Sequence, residues 1–257
     1  MVRGLGILAL VALGLVGATV GARLVDVARR TRGLPELAMG LGLLCVSALG
    51  LPLATVARLP GVVATPAGDA LFGVGLAFSL AGIGFVYVFT WRVFRPDAMW
   101  ARAALVAVGL ALAFEWLGLM HASGRGTTLE QILPHTRPWA IAVVATVAIA
   151  FAWTAAESLH YHGMLRRRMA LGLADPVVAN RFLLWALGGI ATALLCTALV
   201  ACLRAGLAPL RHPLPLAIVS VAGIATSLSW SLAFLPPPGY LRWLRARAQT
   251  SAAGALG

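Results

Sequence analysis

Lysine is absent from this sequence, and its positive charge comes from arginine alone. All twenty basic residues are Arg, against eight acidic residues, and Asn180 is the single Asn. Without a lysine amine the chain cannot form a Schiff base, which excludes retinal and all lysine-dependent catalysis. The lack of Lys and the shortage of Asn, beside abundant Ala, Gly, Leu and Val, indicate a GC-rich bacterial genome.

Charge of either sign is also scarce, since charged residues make up 11% of 257 residues and hydrophobic residues 61%. The mean hydropathy of +0.92 exceeds what one soluble core could hide from water. We therefore predict an integral membrane protein, with the lipid bilayer as its partner. The net charge of +12 is then explained by cytoplasmic Arg and not by nucleic-acid binding.

Seven apolar segments have about the 20 residues that a membrane-spanning helix requires. Asp175 before Pro176 predicts an N-cap with a first-turn proline, and the run Pro236–Gly239 predicts a helix end. We predict one all-α polytopic membrane domain over residues 1–257, with a short basic cytoplasmic tail at 236–257. The predicted helices cover residues 4–22, 36–57, 70–91, 99–120, 138–160, 176–203 and 214–235.

The distribution of Arg over the connecting segments predicts the orientation of the chain. Fourteen of the twenty Arg fall on one side of the predicted membrane and six on the other. Because cytoplasmic loops are enriched in Arg, we expect an external N-terminus, a cytoplasmic C-terminus and a location in the bacterial inner membrane. An alternative treats residues 1–22 as a cleaved signal peptide, which would leave six helices.

Glu115 lies within the predicted fourth helix, where a carboxyl is costly and marks a functional hypothesis by default. Small residues at three- and four-residue steps from it, such as Ala111 and Gly118, predict that it faces the bundle interior. It either joins two helices as a neutral, hydrogen-bonded group or belongs to a functional site. Beyond this helix, Thr127 and Glu130 have capping-box spacing, which predicts a short helix over the outer mouth.

Polar residues gather at the cytoplasmic ends of the fifth and sixth predicted helices. Glu157 and His160 have the Glu-x-x-His step of di-iron bundles, but no second pair exists, so we predict no metal site and no cofactor. Asn180 and Arg181 lie near the start of the sixth helix, with Arg181 roughly 8 Å into it and near the depth of Glu157. We therefore predict a Glu157–Arg181 ion pair, in which loss of one partner strands the other charge.

Two further sets of residues are candidates for binding. Arg166, Arg167 and Arg168 are consecutive and predict contact with an anionic membrane surface or with a cytoplasmic protein. Ser227 and Trp230 share one face of the seventh helix. Ser227 either lines a polar cavity or bonds back to its own helix.

Two functions remain open on these observations. The first is a receptor-like or accessory, sensory module that binds a small or lipidic ligand among its helices, or a membrane or cytoplasmic partner protein. The alternative is a small-molecule or proton-coupled transporter in which Glu115 and Glu157 titrate. The histidines form no convergent catalytic set, so we predict no enzymatic activity.

Overall fold

The computed structural model describes residues 2–59, 61–63, 65–124, 129–207 and 213–254. Within these ranges the chain is helical without strands, and seven helices are long and apolar enough to cross a membrane. The prediction of an all-α chain with seven helices of membrane-spanning length and apolarity is thereby confirmed. The helices are α1 (Val2–Thr31), α2 (Leu34–Val56), α3 (Pro66–Phe94), α4 (Met99–Ser123), α5 (Leu129–Ala170), α6 (Pro176–Arg204), α7 (Pro213–Phe234) and α8 (Pro238–Gly254).

Six of the seven long helices form a closed ring. α1 packs on α2, α2 on α3, α3 on α5, α5 on α6 and α6 on α7, and α7 returns to pack against α1. α4 packs on both α3 and α5, which also contact each other, so α4 lies on the outside of the ring.

Helix starts follow the local chemistry of the sequence. The Asp175 side chain accepts a hydrogen bond of 2.8 Å from the Val177 amide, and Pro176 occupies the first turn, as predicted. Thr65 caps α3 in the same way, accepting from the Gly68 amide at 3.0 Å. These caps fix where α3 and α6 enter the bundle.

The predicted bounds of α1 and α5 are too short. α1 continues beyond residue 22 to Thr31, because its Arg-containing end has no Gly or Pro; it stops where Arg32 adopts a left-handed φ of 55°. α5 is longer at both ends than residues 138–160, and Glu130 belongs to its first turn rather than to a separate outer helix. Thr127 lies outside the described residues. The tail is also helical, since the proline run that ends α7 supplies the first turn of α8.

Gly188 permits close packing of α6 on α7. A Cβ at this position would lie 2.8 Å from Nε1 of Trp230, so only glycine allows the indole to rest on the backbone of α6. Trp230 is 5% exposed. This contact brings α6 and α7 close together.

Candidate functional site

The end of the bundle where α1, α3 and α7 finish and where α2 and α6 begin contains a cavity of about 560 Å³. All five of these helices contribute to its wall. The lining has an apolar part and a charged part, which we name the aromatic floor and the arginine rim. The aromatic floor consists of Met39, Phe89, Trp185 and Phe234, and the arginine rim consists of Arg23, Arg92 and Arg181.

The aromatic floor is held rigidly by ring contacts around Trp185, which is 4% exposed. Phe89 and Phe234 meet the Trp185 ring edge-on at centroid distances of 5.8 and 5.3 Å. On its other side Trp185 stacks on Trp230 at 5.6 Å. Met39 of α2 is 1% exposed and is fixed by its surroundings. Such interlocked aromatic contacts define one shape for the floor.

The arginine rim is exposed and carries uncompensated charge. Within the described part of the chain, none of its three guanidinium groups has a hydrogen bond or an ion pair, and Arg92 only lies 6.0 Å from the ring of Trp91. The one acidic residue of the lining, Glu36, turns its Oε2 toward Gly33 at the start of α2. The mouth of the cavity is therefore cationic.

Glu157 pairs with Arg95, and the predicted pair with Arg181 is wrong. Its Oε1 accepts hydrogen bonds from Nε of Arg95 at 2.8 Å and from Nε1 of Trp153 at 3.3 Å. This carboxylate raises the pKa of Arg95, because its hydrogen bond and its charge both stabilise the cation. The physical reason for the error is the contact of α3 with α5, which brings Arg95 to Glu157 while Arg181 on α6 turns toward the cavity.

The other residues predicted near Glu157 are dispersed. His160 is exposed, and Arg166, Arg167 and Arg168 are exposed in the last turns of α5. Asn180 donates a 2.9 Å hydrogen bond from Nδ2 to the Tyr240 hydroxyl, which fastens α8 to α6. The structure thus divides the predicted cluster among an ion pair, a cavity wall and a helix–helix contact.

Glu115 is 6% exposed and faces the bundle interior, as predicted. Its Oε1 accepts a 2.6 Å hydrogen bond from the Thr146 hydroxyl, and the Tyr87 hydroxyl donates to the Thr146 carbonyl at 2.8 Å. Its Oε2 is buried without a hydrogen-bond partner among the described residues. These contacts join α3, α4 and α5 in one polar cluster that is separate from the cavity lining.

The two candidates on α7 have different positions. The Ser227 hydroxyl donates to the Gly223 carbonyl of its own helix at 2.8 Å, the structural alternative considered for it. Trp230 supports the aromatic floor from below through Trp185. Arg181 was identified as a candidate from the sequence, whereas Arg23 and Arg92 were not. The available signal was that all three Arg fall on the same predicted side of the membrane.

The arrangement can bind a ligand that is apolar at one end and anionic at the other. No protein-family model matches this chain, and comparison with curated proteins and with solved structures found no match.

The contact between Glu157 and Arg95 can be measured with a double-mutant cycle. We expect Glu157→Gln and Arg95→Gln to be coupled by about 1 kcal/mol, because Glu157 is largely shielded while Arg95 is half exposed. Thermal unfolding in detergent provides the measurement. Glu157→Gln combined with Arg181→Gln is the matched control, and additive losses are expected there. Coupling to Arg181 and none to Arg95 would contradict this geometry.

Glu115→Gln should preserve the fold, because an amide oxygen can still accept the Thr146 hydrogen bond. We expect Glu115 to be neutral at pH 7, since an ionised carboxyl buried without a cation costs several kcal/mol. The melting temperature should therefore change little, with a loss of free energy below about 1 kcal/mol. Glu115→Asp is the comparison. Severe loss of folded protein with Gln and tolerance of Asp would instead indicate an ionised, paired group.

Proposed function

We propose that this protein is a receptor-like or accessory module of the bacterial inner membrane that binds an anionic amphipathic ligand in its cavity. The observation that carries the proposal is the combination of a rigid aromatic floor with an arginine rim whose charges have no partner among the described residues. An apolar group on the floor leaves water, at about 25 cal/mol per Å² of buried apolar surface. Guanidinium groups at the mouth attract the anionic end.

The size and the position of the cavity fit such a ligand. Its volume of about 560 Å³ falls within the range of roughly 300–1,000 Å³ found for sites that enclose small ligands. The cavity opens at the end of the bundle that holds most of the Arg, where an anionic leaflet surface would supply ligands. A soluble anion would make no contact with the aromatic floor, and a neutral lipid would bring no negative charge to the arginine rim.

A partner protein would contact the same end of the molecule. The hydrogen bond between Asn180 and Tyr240 joins α8 to α6. Asn180 directly precedes the rim residue Arg181 in the sequence. α8 presents the exposed residues Arg242, Trp243 and Arg245. A shift of α6 on ligand binding would therefore move a basic, aromatic helix. This connection supports a receptor-like or accessory role.

Transport driven by the two carboxyls has less support. Glu157 is engaged by Arg95, and Glu115 is engaged by Thr146. Neither carboxyl lines the cavity. Proton-coupled transport would require these groups to meet a substrate pathway, so we place ligand binding first.

The orientation follows from the Arg bias and is tested with reporter fusions. We predict cytoplasmic signals from fusions at residue 30 and at the C-terminus and an external signal at residue 130, because cytoplasmic segments are enriched in Arg and seven crossings put the two termini on opposite sides. Paired alkaline phosphatase and fluorescent-protein fusions in bacterial cells give the measurement. An external C-terminus would contradict the orientation and the leaflet from which the ligand is proposed to come.

Ligand binding is tested by filling the cavity. We predict that Val27→Trp, at a half-buried wall position, lowers the affinity for single-tailed anionic amphiphiles at least tenfold, since the indole would occupy the space of the tail. The measurement is competition of palmitate or lysophosphatidate with a fluorescent fatty acid, on protein in phosphatidylcholine nanodiscs. Ala22→Trp is the matched control, because Ala22 is exposed on the same helix and does not line the cavity.

Two outcomes would contradict the binding function. The first is that no anionic amphiphile binds the wild-type protein. The second is that Val27→Trp and Ala22→Trp bind equally well, which would place the ligand elsewhere on the molecule.

A further inference from the structure

The three Arg of the arginine rim come from three different helices. Arg23 belongs to the last third of α1, Arg92 to the last turn of α3 and Arg181 to the second turn of α6. We propose that the cavity recognises a phosphate monoester on a single hydrocarbon tail, with the phosphate at Arg23, Arg92 and Arg181 and the tail on the aromatic floor. This inference rests on the binding function proposed above and names its ligand class.

The charge of the lining selects the head group. The rim contributes three positive charges and Glu36 one negative charge, which leaves two positive charges to be compensated. A phosphate monoester carries about −1.5 to −2 charges near neutral pH and three acceptor oxygens. A carboxylate carries one charge and two oxygens, which a single guanidinium satisfies. Three guanidinium groups from separate helices therefore match a phosphate better than a carboxylate.

The contrast with Arg elsewhere supports a ligand for the rim. Arg58, which is half-buried at the opposite end of the bundle, lies 3.9 Å from the Phe72 ring centroid and reaches the Ser123 hydroxyl at 3.5 Å. Arg95 is held by Glu157. The guanidinium groups next to the cavity have no comparable contacts among the described residues, although they line a shaped space. A bound anion would supply the contacts that the protein supplies to Arg58 and Arg95.

The aromatic floor and the size of the cavity favour a ligand with a single hydrocarbon tail. Trp185 is locked between Phe89, Phe234 and Trp230, so the apolar surface is preformed and does not need to be assembled around the ligand. A cavity of about 560 Å³ encloses one group of ordinary ligand size, and a whole two-chain phospholipid exceeds it. A free phosphate ion or a soluble phosphate ester would use the rim alone. The combined site therefore favours a lipid as the source of the phosphate.

Four probes separate head from tail in phosphatidylcholine nanodiscs. They are 1-palmitoyl lysophosphatidate, 1-palmitoyl lysophosphatidylcholine, palmitate and glycerol 3-phosphate. The first three share a tail and differ in the head, and the last has the phosphate without a tail. We expect lysophosphatidate to bind at least tenfold more tightly than each of the other three.

Substitutions in the rim test the named residues. Arg23→Gln, Arg92→Gln and Arg181→Gln should each weaken lysophosphatidate binding about tenfold or more, the size expected for loss of one charge-assisted hydrogen bond. The affinity for lysophosphatidylcholine should change much less, because its zwitterionic head gains little from the rim. Arg29→Gln is the matched control, since Arg29 is exposed on α1 at the same end of the bundle and does not line the cavity. It should leave all four affinities unchanged.

Each other result has a defined meaning. Equal binding of palmitate or lysophosphatidylcholine would overturn the phosphate assignment and leave the binding function intact, provided that Val27→Trp blocks them. Equal binding of glycerol 3-phosphate would overturn the lipid source. Equal effects of the rim variants and Arg29→Gln would overturn the rim as the head-group site. No binding of any tailed probe would contradict the proposed function itself.

Discussion

The cost of burying charge is the constraint on which the arrangement of this molecule depends. In a chain as apolar as this one, a charged or ionisable side chain must lie at an end of the bundle or find a partner within it. Glu115 bonds to Thr146, and Glu157 bonds to Arg95. Arg58 is half-buried under the ring of Phe72, and this burial lowers its pKa, with Asp69 opposing the effect. The arginine rim avoids the cost of burying charge only because it is exposed at an end of the bundle.

The number of long apolar helices could be predicted because it depends on local properties. Length, hydropathy and proline position are read along the chain, and the Asp175 cap together with its proline was predicted correctly. The predicted helix ends were wrong where no residue in the sequence clearly stops or starts a helix. α1 runs through its Arg cluster because Arg is a good helix former, and α5 passes through Pro134 and Pro138 without ending. Proline weakens a helix, but neighbouring helices can hold it continuous.

The partners of the polar residues could not be predicted, because partners depend on which helices are adjacent. Glu157 and Arg181 have similar depths in a sequence-based estimate, and depth alone does not distinguish Arg181 from Arg95. Because α3 packs on α5, Arg95 and not Arg181 becomes the partner of Glu157. Burial of Glu115 was predictable from the small residues on its face, whereas Thr146 as its partner required knowledge of how α4 meets α5. The cavity itself joins residues from five helices, and no sequence motif indicates such a set.

The packing of the helices creates two separate polar regions, the cluster around Glu115 and the cavity, and different kinds of contact hold the helices together in each. The cluster of Tyr87, Glu115 and Thr146 connects α3, α4 and α5 through direct hydrogen bonds, so it stabilises one arrangement of those helices. The cavity lies between α1, α2 and α3 on one side and α6 and α7 on the other. These two groups meet there through apolar ring contacts, such as Phe89 on Trp185, which lack the directional constraint of hydrogen bonds.

The position of Trp185 determines what a ligand could change. It is a wall of the cavity and also stacks on Trp230, which in turn stacks on Phe151 of α5 at 6.0 Å. A group seated on the aromatic floor would therefore press on a continuous stack that reaches α5, α6 and α7. α6 carries Arg181 into the rim and Asn180 into the contact with α8. A small rotation of α6 would alter head-group contact and α8 attachment together, so a ligand that prefers one rotation would set the position of α8.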